Sequence, residues 1–162
     1  MIQLDDISIF APDVANLSPA ELDAVQWFTL LWTLFEAQAL DNKASVNKIK
    51  DLIEQNENQP VDISEELNYF QGRYVENRTT NDHFEHLNFR KNDNSELVKS
   101  VLTGENNESK SQLISCLIIV YRFRNNFFHG LKWAYGVQGQ LENFRHSANI
   151  LIKCLNQFSR NN

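Results

Sequence analysis

The side chains best suited to chemistry are concentrated in the segment 122–130, at the end of a long apolar stretch. Arg124 provides a permanent cation, Asn125 and Asn126 provide amides, and His129 provides an imidazole, all within about two helical turns. A guanidinium holds phosphate in a planar fork, and histidine transfers protons near neutral pH. Together these groups supply what cleavage of an RNA phosphodiester requires without a metal ion.

The segment from Arg124 to His129 resembles the Arg-x4-6-His signature of the HEPN superfamily. Members of that family are small helical domains that dimerise and often act as ribonucleases. The resemblance extends over residues 113–155 and includes the asparagine after the arginine, two phenylalanines, and the His-Gly ending. It implies an all-α, HEPN-like domain that acts on RNA.

The resemblance also implies a role for each residue of the motif. Arg124 would hold the phosphate, His129 would move a proton, and Asn125 would orient either of them. Asn126 would support them, as would Glu36, which lies on the first long helix and could orient Arg124 or His129. Cleavage would leave 2′,3′-cyclic phosphate and 5′-hydroxyl ends, with no metal and no cofactor. The two copies of the motif would meet across the axis of a homodimer.

Other residues near the motif are open to two interpretations. Arg122, Lys132 and Arg145 could contact RNA phosphates, or they could form a solvated rim. Trp133 and Tyr135 could stack on a base, or they could belong to the core. The role of each of these residues is therefore a hypothesis that depends on where the residue lies in the fold.

A purely structural interpretation of the motif is also open. Arg124 falls at a position where a core residue is expected, so it needs a carboxylate, a phosphate or a wet interface as its partner. It could pair with a carboxylate inside the bundle, because a helix C-terminus also favours cations on electrostatic grounds alone. The chain would then be a non-catalytic dimerisation or interaction module that binds a protein partner or a nucleotide.

The setting implied by the resemblance is a bacterial toxin–antitoxin, stress or phage-defence system, in which an antitoxin or another protein is a further possible partner.

Charge is distributed unevenly along the chain: residues 1–98 hold 7 basic and 18 acidic residues (net −11), and residues 99–162 hold 8 basic and 3 acidic residues (net +5). The basic part surrounds the motif and is compatible with a polyanion there. Alternatively, the two parts attract each other, and the asymmetry serves folding or assembly.

The 162 residues are expected to form a single domain with a packed core. No apolar run reaches about 18 residues and the first ten residues carry two aspartates, so we expect neither a membrane span nor a secretory signal. Cys116 and Cys154 lie in apolar helical patterns and are expected to be reduced core thiols of a cytoplasmic protein, although a disulfide between them is an alternative. His83 and His86 could bind a metal on one helical turn, but a solvated loop is the simpler interpretation.

The first long helix is predicted over 17–40, with Ser18 and Glu21 forming a capping box and Pro19 in the first turn. One face of this helix is apolar, and further apolar residues at 27, 30, 31 and 34 widen that face, which predicts burial on more than one side. Further helices are predicted over 42–58, from 62 to about 75, and over 95–102, 112–129 and 140–158, with Gly130 ending the helix over 112–129. Four principal helices and short additional ones predict an all-α bundle. The polar region 76–108 is expected to be partly irregular.

Overall fold

The computed structural model describes residues 3–129 and 139–159, and within these ranges the fold is all-α, as predicted. A single two-stranded hairpin is the only sheet among the described residues. None of the described helices is both long enough and apolar enough to cross a membrane. The elements in chain order are α1 (Leu4–Ser8), a 3-10 turn (Pro12–Asn16), α2 (Pro19–Ala39), α3 (Val46–Gln55), α4 (Ser64–Tyr74), β1 (Val75–Glu76), β2 (Thr79–Thr80), α5 (Asp82–Glu85), α6 (Ser95–Leu102), α7 (Ser109–Phe128) and α8 (Leu141–Phe158).

The start of α2 is fixed by the predicted capping box. The Glu21 backbone N–H donates to Ser18 Oγ at 3.2 Å, and the Ser18 backbone N–H donates to Glu21 Oε2 at 2.9 Å. Pro19 occupies the first turn, where its missing N–H costs nothing. The carboxylate of Glu21 also accepts from the backbone N–H of Gly139 at 3.0 Å, so the same residue ties α2 to the beginning of α8.

The core is centred on three phenylalanines, one from each of the longest helices. Phe28 of α2, Phe123 of α7 and Phe144 of α8 are buried, with ring centroids 4.9 to 5.5 Å apart in tilted and edge-on geometries. Such aromatic clusters stabilise a core beyond their buried area. They therefore hold α2, α7 and α8 in fixed relation, and this sets the position of the motif at the end of α7.

The prediction that α2 is buried on more than one side is wrong for most of the residues concerned. Trp27 is 55% exposed, Leu30 50% and Leu34 37%, whereas Leu31 is partly buried. The buried face of α2 is instead formed by Ala24, Phe28, Trp32 and Phe35. An apolar stripe consequently remains in solvent along the outer side of the helix.

The polar segment after α4, predicted to be partly irregular, contains a short hairpin, two short helices and the turns between them. Val75 pairs with Thr80 and Glu76 with Thr79, and the two residues between the strands have φ of 50° and 63°. Asn81 then caps α5 by accepting from the Phe84 N–H at 3.3 Å. Asparagine tolerates left-handed backbone better than most residues, which explains the asparagine-rich composition here. Three asparagines of this region have positive φ, namely Asn77, Asn88 and Asn94.

Candidate functional site at the C-terminal end of α7

The last turn of α7 holds Arg124 between α2 and an aromatic side chain of its own helix. Arg124 Nη2 lies 3.6 Å from Glu36 Oε2, and Arg124 Nη1 donates to Asn125 Oδ1 at 3.0 Å. The guanidinium carbon lies 5.4 Å from the ring centroid of Trp32 and 5.0 Å from that of Phe128. Since the Arg124 side chain is 24% exposed, it remains partly accessible to solvent.

Glu36 is itself held in place by two donors. The Trp32 indole N–H donates to Oε2 at 3.0 Å, and the Ala44 backbone N–H donates to Oε1 at 3.3 Å. The carboxylate is thereby fixed against the guanidinium of Arg124, which is one of the two groups that Glu36 was expected to orient; its supporting role at the site stays a prediction. This contact also satisfies the structural interpretation, in which Arg124 pairs with a carboxylate of the bundle.

His129 ends α7 and its side chain is exposed. Its backbone N–H donates to the Asn125 carbonyl at 3.0 Å, with φ of −94° and ψ of 20°. Arg124 and His129 are five positions apart, which corresponds to about 140° around the helix axis. Both side chains are described, and no hydrogen bond or ion pair joins them. The structure therefore does not bring the cation and the imidazole of one chain into contact. Gly130, predicted to end this helix, lies outside the described residues.

The prediction that Arg122 contacts RNA is wrong, because its side chain is only 3% exposed. Arg122 Nη1 lies 3.1 Å from Asp93 Oδ2, and its Nε donates to the Leu87 carbonyl at 3.1 Å. Its Nη2 also donates to the Asn88 carbonyl. The pKa of Arg122 is lowered, because burial lowers it by more than the facing Asp93 raises it. Arg122 and Arg124 lie two residues apart, or about 200° around α7, so they cannot serve the same surface.

Asn126 is also committed to the fold. It is 3% exposed, and its amide donates to the carbonyls of His86 and Leu87, each at 3.0 Å. Together with Arg122, it fastens the turn after α5 to α7. The supporting role predicted for Asn126 is therefore structural in this chain.

The two remaining predicted RNA contacts are not part of the site as described. Arg145 lies on α8, pairs with Glu142 at 2.9 Å, and lines a groove together with Asp23 and Trp27 of α2. The partners of Arg124 on α2, in contrast, are Trp32 and Glu36. Lys132, like Trp133 and Tyr135, lies outside the described residues.

Ion pairs join the basic residues of 99–162 to the acidic residues of 1–98. Among the described residues, most cations of the basic part face a carboxylate of residues 1–98. Among the described residues of the basic part, Arg145 pairs with Glu142, as does His146 when it is protonated. The pairs across the division are Lys99–Glu96, Lys110–Glu57, Arg122–Asp93, Arg124–Glu36 and Lys153–Glu66. This pattern agrees with the alternative in which the asymmetry serves folding.

The two cysteines are free and buried, as expected for core thiols. Burial raises the pKa of Cys154 to about 12 and raises the pKa of Cys116 as well. His83 and His86 have ring centroids 6.4 Å apart, and no group of three or more potential metal ligands exists among the described residues. Protonated buried thiols are poor nucleophiles and poor metal ligands.

The aromatic partners of Arg124 are the part of the site that the sequence interpretation missed. Phe128 follows Arg124 by four residues, and Trp32 precedes Glu36 by four residues. Residues with this spacing are neighbours on a helix surface, so the Phe128–Arg124 and Trp32–Glu36 contacts were within reach of helix geometry, whereas the Trp32–Arg124 contact joins two helices. Asp93, the buried partner of Arg122, had no such signal, since it lies 29 positions away in the sequence.

Comparison of the chain with protein-family models, curated proteins and solved structures gives no match. Function is therefore inferred from the residues and their geometry. Two features remain for that inference: a guanidinium that is partly exposed between two aromatic rings, and an exposed imidazole at the end of the same helix.

Proposed function

We propose that this chain is a HEPN-like protein that acts on RNA as a homodimer, cleaving it without a metal ion. The observation that supports the proposal is the positioning of Arg124. Its guanidinium is oriented by Glu36 and Asn125, and it remains 24% exposed at the end of α7. An oriented, always-charged fork of donors is suited to a phosphate.

The proposed reaction uses the nucleophile that RNA already contains. The 2′-oxygen attacks the adjacent phosphorus as its proton is removed, and the bond from phosphorus to the 5′-oxygen breaks. The departing oxygen takes up a proton, which leaves a 2′,3′-cyclic phosphate and a 5′-hydroxyl. Arg124 stabilises the charge on the phosphoryl oxygens, and His129 transfers the proton, a contribution of roughly 10²–10⁴ in rate.

The arginine and the histidine of this reaction come from different copies of the chain. Arg124 and His129 are about 140° apart around α7, so one phosphate is reached more easily by the arginine of one subunit and the histidine of another. Asn125, which already accepts from Arg124, keeps the guanidinium in the orientation that receives the phosphate. The setting that we propose is a cytoplasmic bacterial toxin–antitoxin, stress or phage-defence system.

The decisive experiment is incubation of purified protein with RNA in the presence of a chelator. Wild type is expected to give fragments with 2′,3′-cyclic phosphate ends, and both Arg124→Ala and His129→Ala are expected to lose at least about 100-fold in rate. His83→Ala is the matched control, because it removes another exposed imidazole and should leave the rate unchanged. Cleavage that persists in both motif variants would assign the activity to another site or to a contaminant.

A non-catalytic interaction module is the second candidate function. It is favoured by the Arg124–Glu36 pair, because a guanidinium already neutralised by a carboxylate has less need of a phosphate. Retention on immobilised RNA at low salt separates the two candidates. If the protein acts on RNA, wild type is retained and Arg124→Ala elutes at a lower salt concentration. If it is an interaction module, wild type and Arg124→Ala elute at the same salt concentration.

A further inference from the structure

The exposed stripe on the outer side of α2 has the spacing of a helix–helix seam. Trp27, Leu30 and Leu34 are 55%, 50% and 37% exposed, and they are flanked by exposed Ala20 and Ala37. With Asp23, also exposed, the stripe occupies positions 20, 23, 27, 30, 34 and 37, which are three and four residues apart in alternation. This 3-4 alternation keeps one line of side chains facing a neighbouring helix.

No described element of the chain covers this seam, since its largest residues remain exposed. The opposite side of α2 carries the core residues Phe28, Trp32 and Phe35, each at most 1% exposed. A solvated helix face normally carries polar residues, yet the only charged residue from position 24 to position 40 is Glu36. A long, nearly uncharged seam of this kind is typical of a surface that is buried in an assembly.

We propose that α2 pairs with α2 of a second copy of the chain, in antiparallel orientation about a two-fold axis. The spacing of the seam reads the same from either end, so reversing the helix superposes the pattern on itself. In that register, Trp27 of each copy faces Leu30 of the other, Asp23 faces Leu34, and Ala20 faces Ala37. A two-fold interface requires this kind of self-complementarity, because the same patch must serve both subunits.

The absence of charge along the middle of the seam also favours a second copy. The whole chain has a formal charge of −6, so two copies repel one another, and an uncharged contact surface adds least to that repulsion. A cavity of about 450 Å³ adjoins the seam, between Trp27 and Leu31 of α2 and Ala148 and Ile152 of α8. This groove, whose rim also carries Asp23 and Arg145, gives the opposing side chains a mainly apolar recess.

The dimensions of the surface predict the strength of the association. Helix α2 has 21 residues and α8 has 18, so their outer faces together offer roughly 600 Å² per copy. Specific interfaces typically bury about 800 Å² per partner, so this interface lies toward the weaker end. We therefore expect a reversible association of the free chain rather than a permanent dimer.

This interface is separate from the site of the proposed function. Glu36 follows Trp27 by nine residues, which places it about 180° around α2 from Trp27. The pairing of α2 with α2 therefore leaves Arg124 accessible, and contact between the motifs of two copies requires another surface. Loss of this pairing and loss of RNA cleavage are consequently distinguishable in the same variants.

Sedimentation equilibrium of the full chain tests the pairing, with Trp27→Glu and Leu30→Lys as the variants. Wild type is expected to show an association step at roughly 100 μM that is separate from any contact between motifs, and each variant alone is expected to weaken this step at least about tenfold. Both positions are exposed, so circular dichroism should show unchanged folding. Asn68→Glu, which adds a charge at an exposed position of α4, is the matched control and should dimerise like wild type.

Mixing the two variants tests the orientation. In the antiparallel register, the introduced glutamate of one chain faces the introduced lysine of the other, so the mixture is expected to form heterodimers with affinity close to wild type. A parallel pair would place position 27 against position 27 and would not be rescued. A monomeric wild type, a dimer that tolerates both single variants, or a mixture without rescue would each overturn the proposal.

Discussion

Arg124 and Glu36 face each other between α7 and α2, with Arg124 Nη2 3.6 Å from Glu36 Oε2 and with about a quarter of each side chain exposed. The distance is longer than that of a close hydrogen-bonded pair, and solvent screens it in part. A phosphate approaching the guanidinium therefore meets a cation that is oriented but only partly compensated. Glu36 is thus the residue that decides how strongly Arg124 attracts an anion.

Replacing Glu36 with glutamine is expected to strengthen RNA retention. The variant removes the negative charge beside Arg124, so elution from immobilised RNA should shift to higher salt, whereas the unfolding free energy should fall by about 1 kcal/mol or less. Glu54→Gln on α3 is the control, because it changes the net charge equally at an exposed position. An equal salt shift in both variants would attribute the effect to net charge alone.

Removal of the buried arginine should destabilise the chain far more than removal of an exposed one. Arg122→Met leaves the buried Asp93 without its cation and removes one donor each from the Leu87 and Asn88 carbonyls, so we expect a loss of about 3–5 kcal/mol in unfolding free energy by urea denaturation. Arg145→Met is the comparison, since its pair with Glu142 is half exposed and should contribute less than about 1 kcal/mol. Equal stability of the two variants would contradict the structural role of Arg122.

Asn126 predicts a local rather than a global effect. In Asn126→Ala the carbonyls of His86 and Leu87 each lose one of their donors, so amide hydrogen exchange should accelerate in the segment 86–94. Exchange in the middle of α7 should change little. Asn149→Ala removes an exposed amide on α8 and should leave the segment as protected as in wild type. Uniform acceleration along the chain would contradict a local tether.

The buried thiols predict a loss of stability in alkali. Burial raises the pKa of Cys154 to about 12 and also raises that of Cys116, whereas unfolded thiols ionise near about pH 8.5. The folded chain therefore retains protons that the unfolded chain releases, so stability is complete below about pH 8.5 and falls as the pH rises above it. Between pH 7 and pH 9.5 the loss should reach about 3 kcal/mol for two thiols.

The control for the alkaline effect is the double variant Cys116→Ala with Cys154→Ala. Burial also raises the pKa of Tyr74, but tyrosine ionises at higher pH, so denaturant titrations up to about pH 9.5 isolate the cysteines. The variant should be less stable than wild type at pH 7 and should show a nearly flat profile. The same slope in both proteins would show that other groups are responsible.

The parts of the fold set by neighbouring residues were predictable from the sequence. The capping box at Ser18 and Glu21 fixed the start of α2, and the apolar period fixed α6 and α8 within one or two residues. The helix predicted over 42–58 is shorter, Val46–Gln55, because Ser45 caps it by accepting from the Lys48 N–H at 3.2 Å. Local hydrogen bonds of this kind are encoded within four residues.

The parts that depend on distant partners were not predictable. Apolar spacing identifies the stripe of α2 at Trp27, Leu30 and Leu34, but it does not indicate what covers that stripe. Arg122 and Arg124 have similar neighbours in sequence, yet only contact with Asp93 decides which of them is buried. The positions of candidate site residues are known from the sequence, whereas their accessibility is a property of the packed chain.

The ion pairs across the chain have a consequence for its synthesis. The acidic part, residues 1–98, leaves the ribosome before residues 99–162. Five of its carboxylates form ion pairs with lysines and arginines that are translated after them. Until α7 and α8 emerge, the nascent chain has Glu66 without Lys153, and Phe28 without its aromatic neighbours. Native packing of these helices is therefore completed only after α8 has been translated.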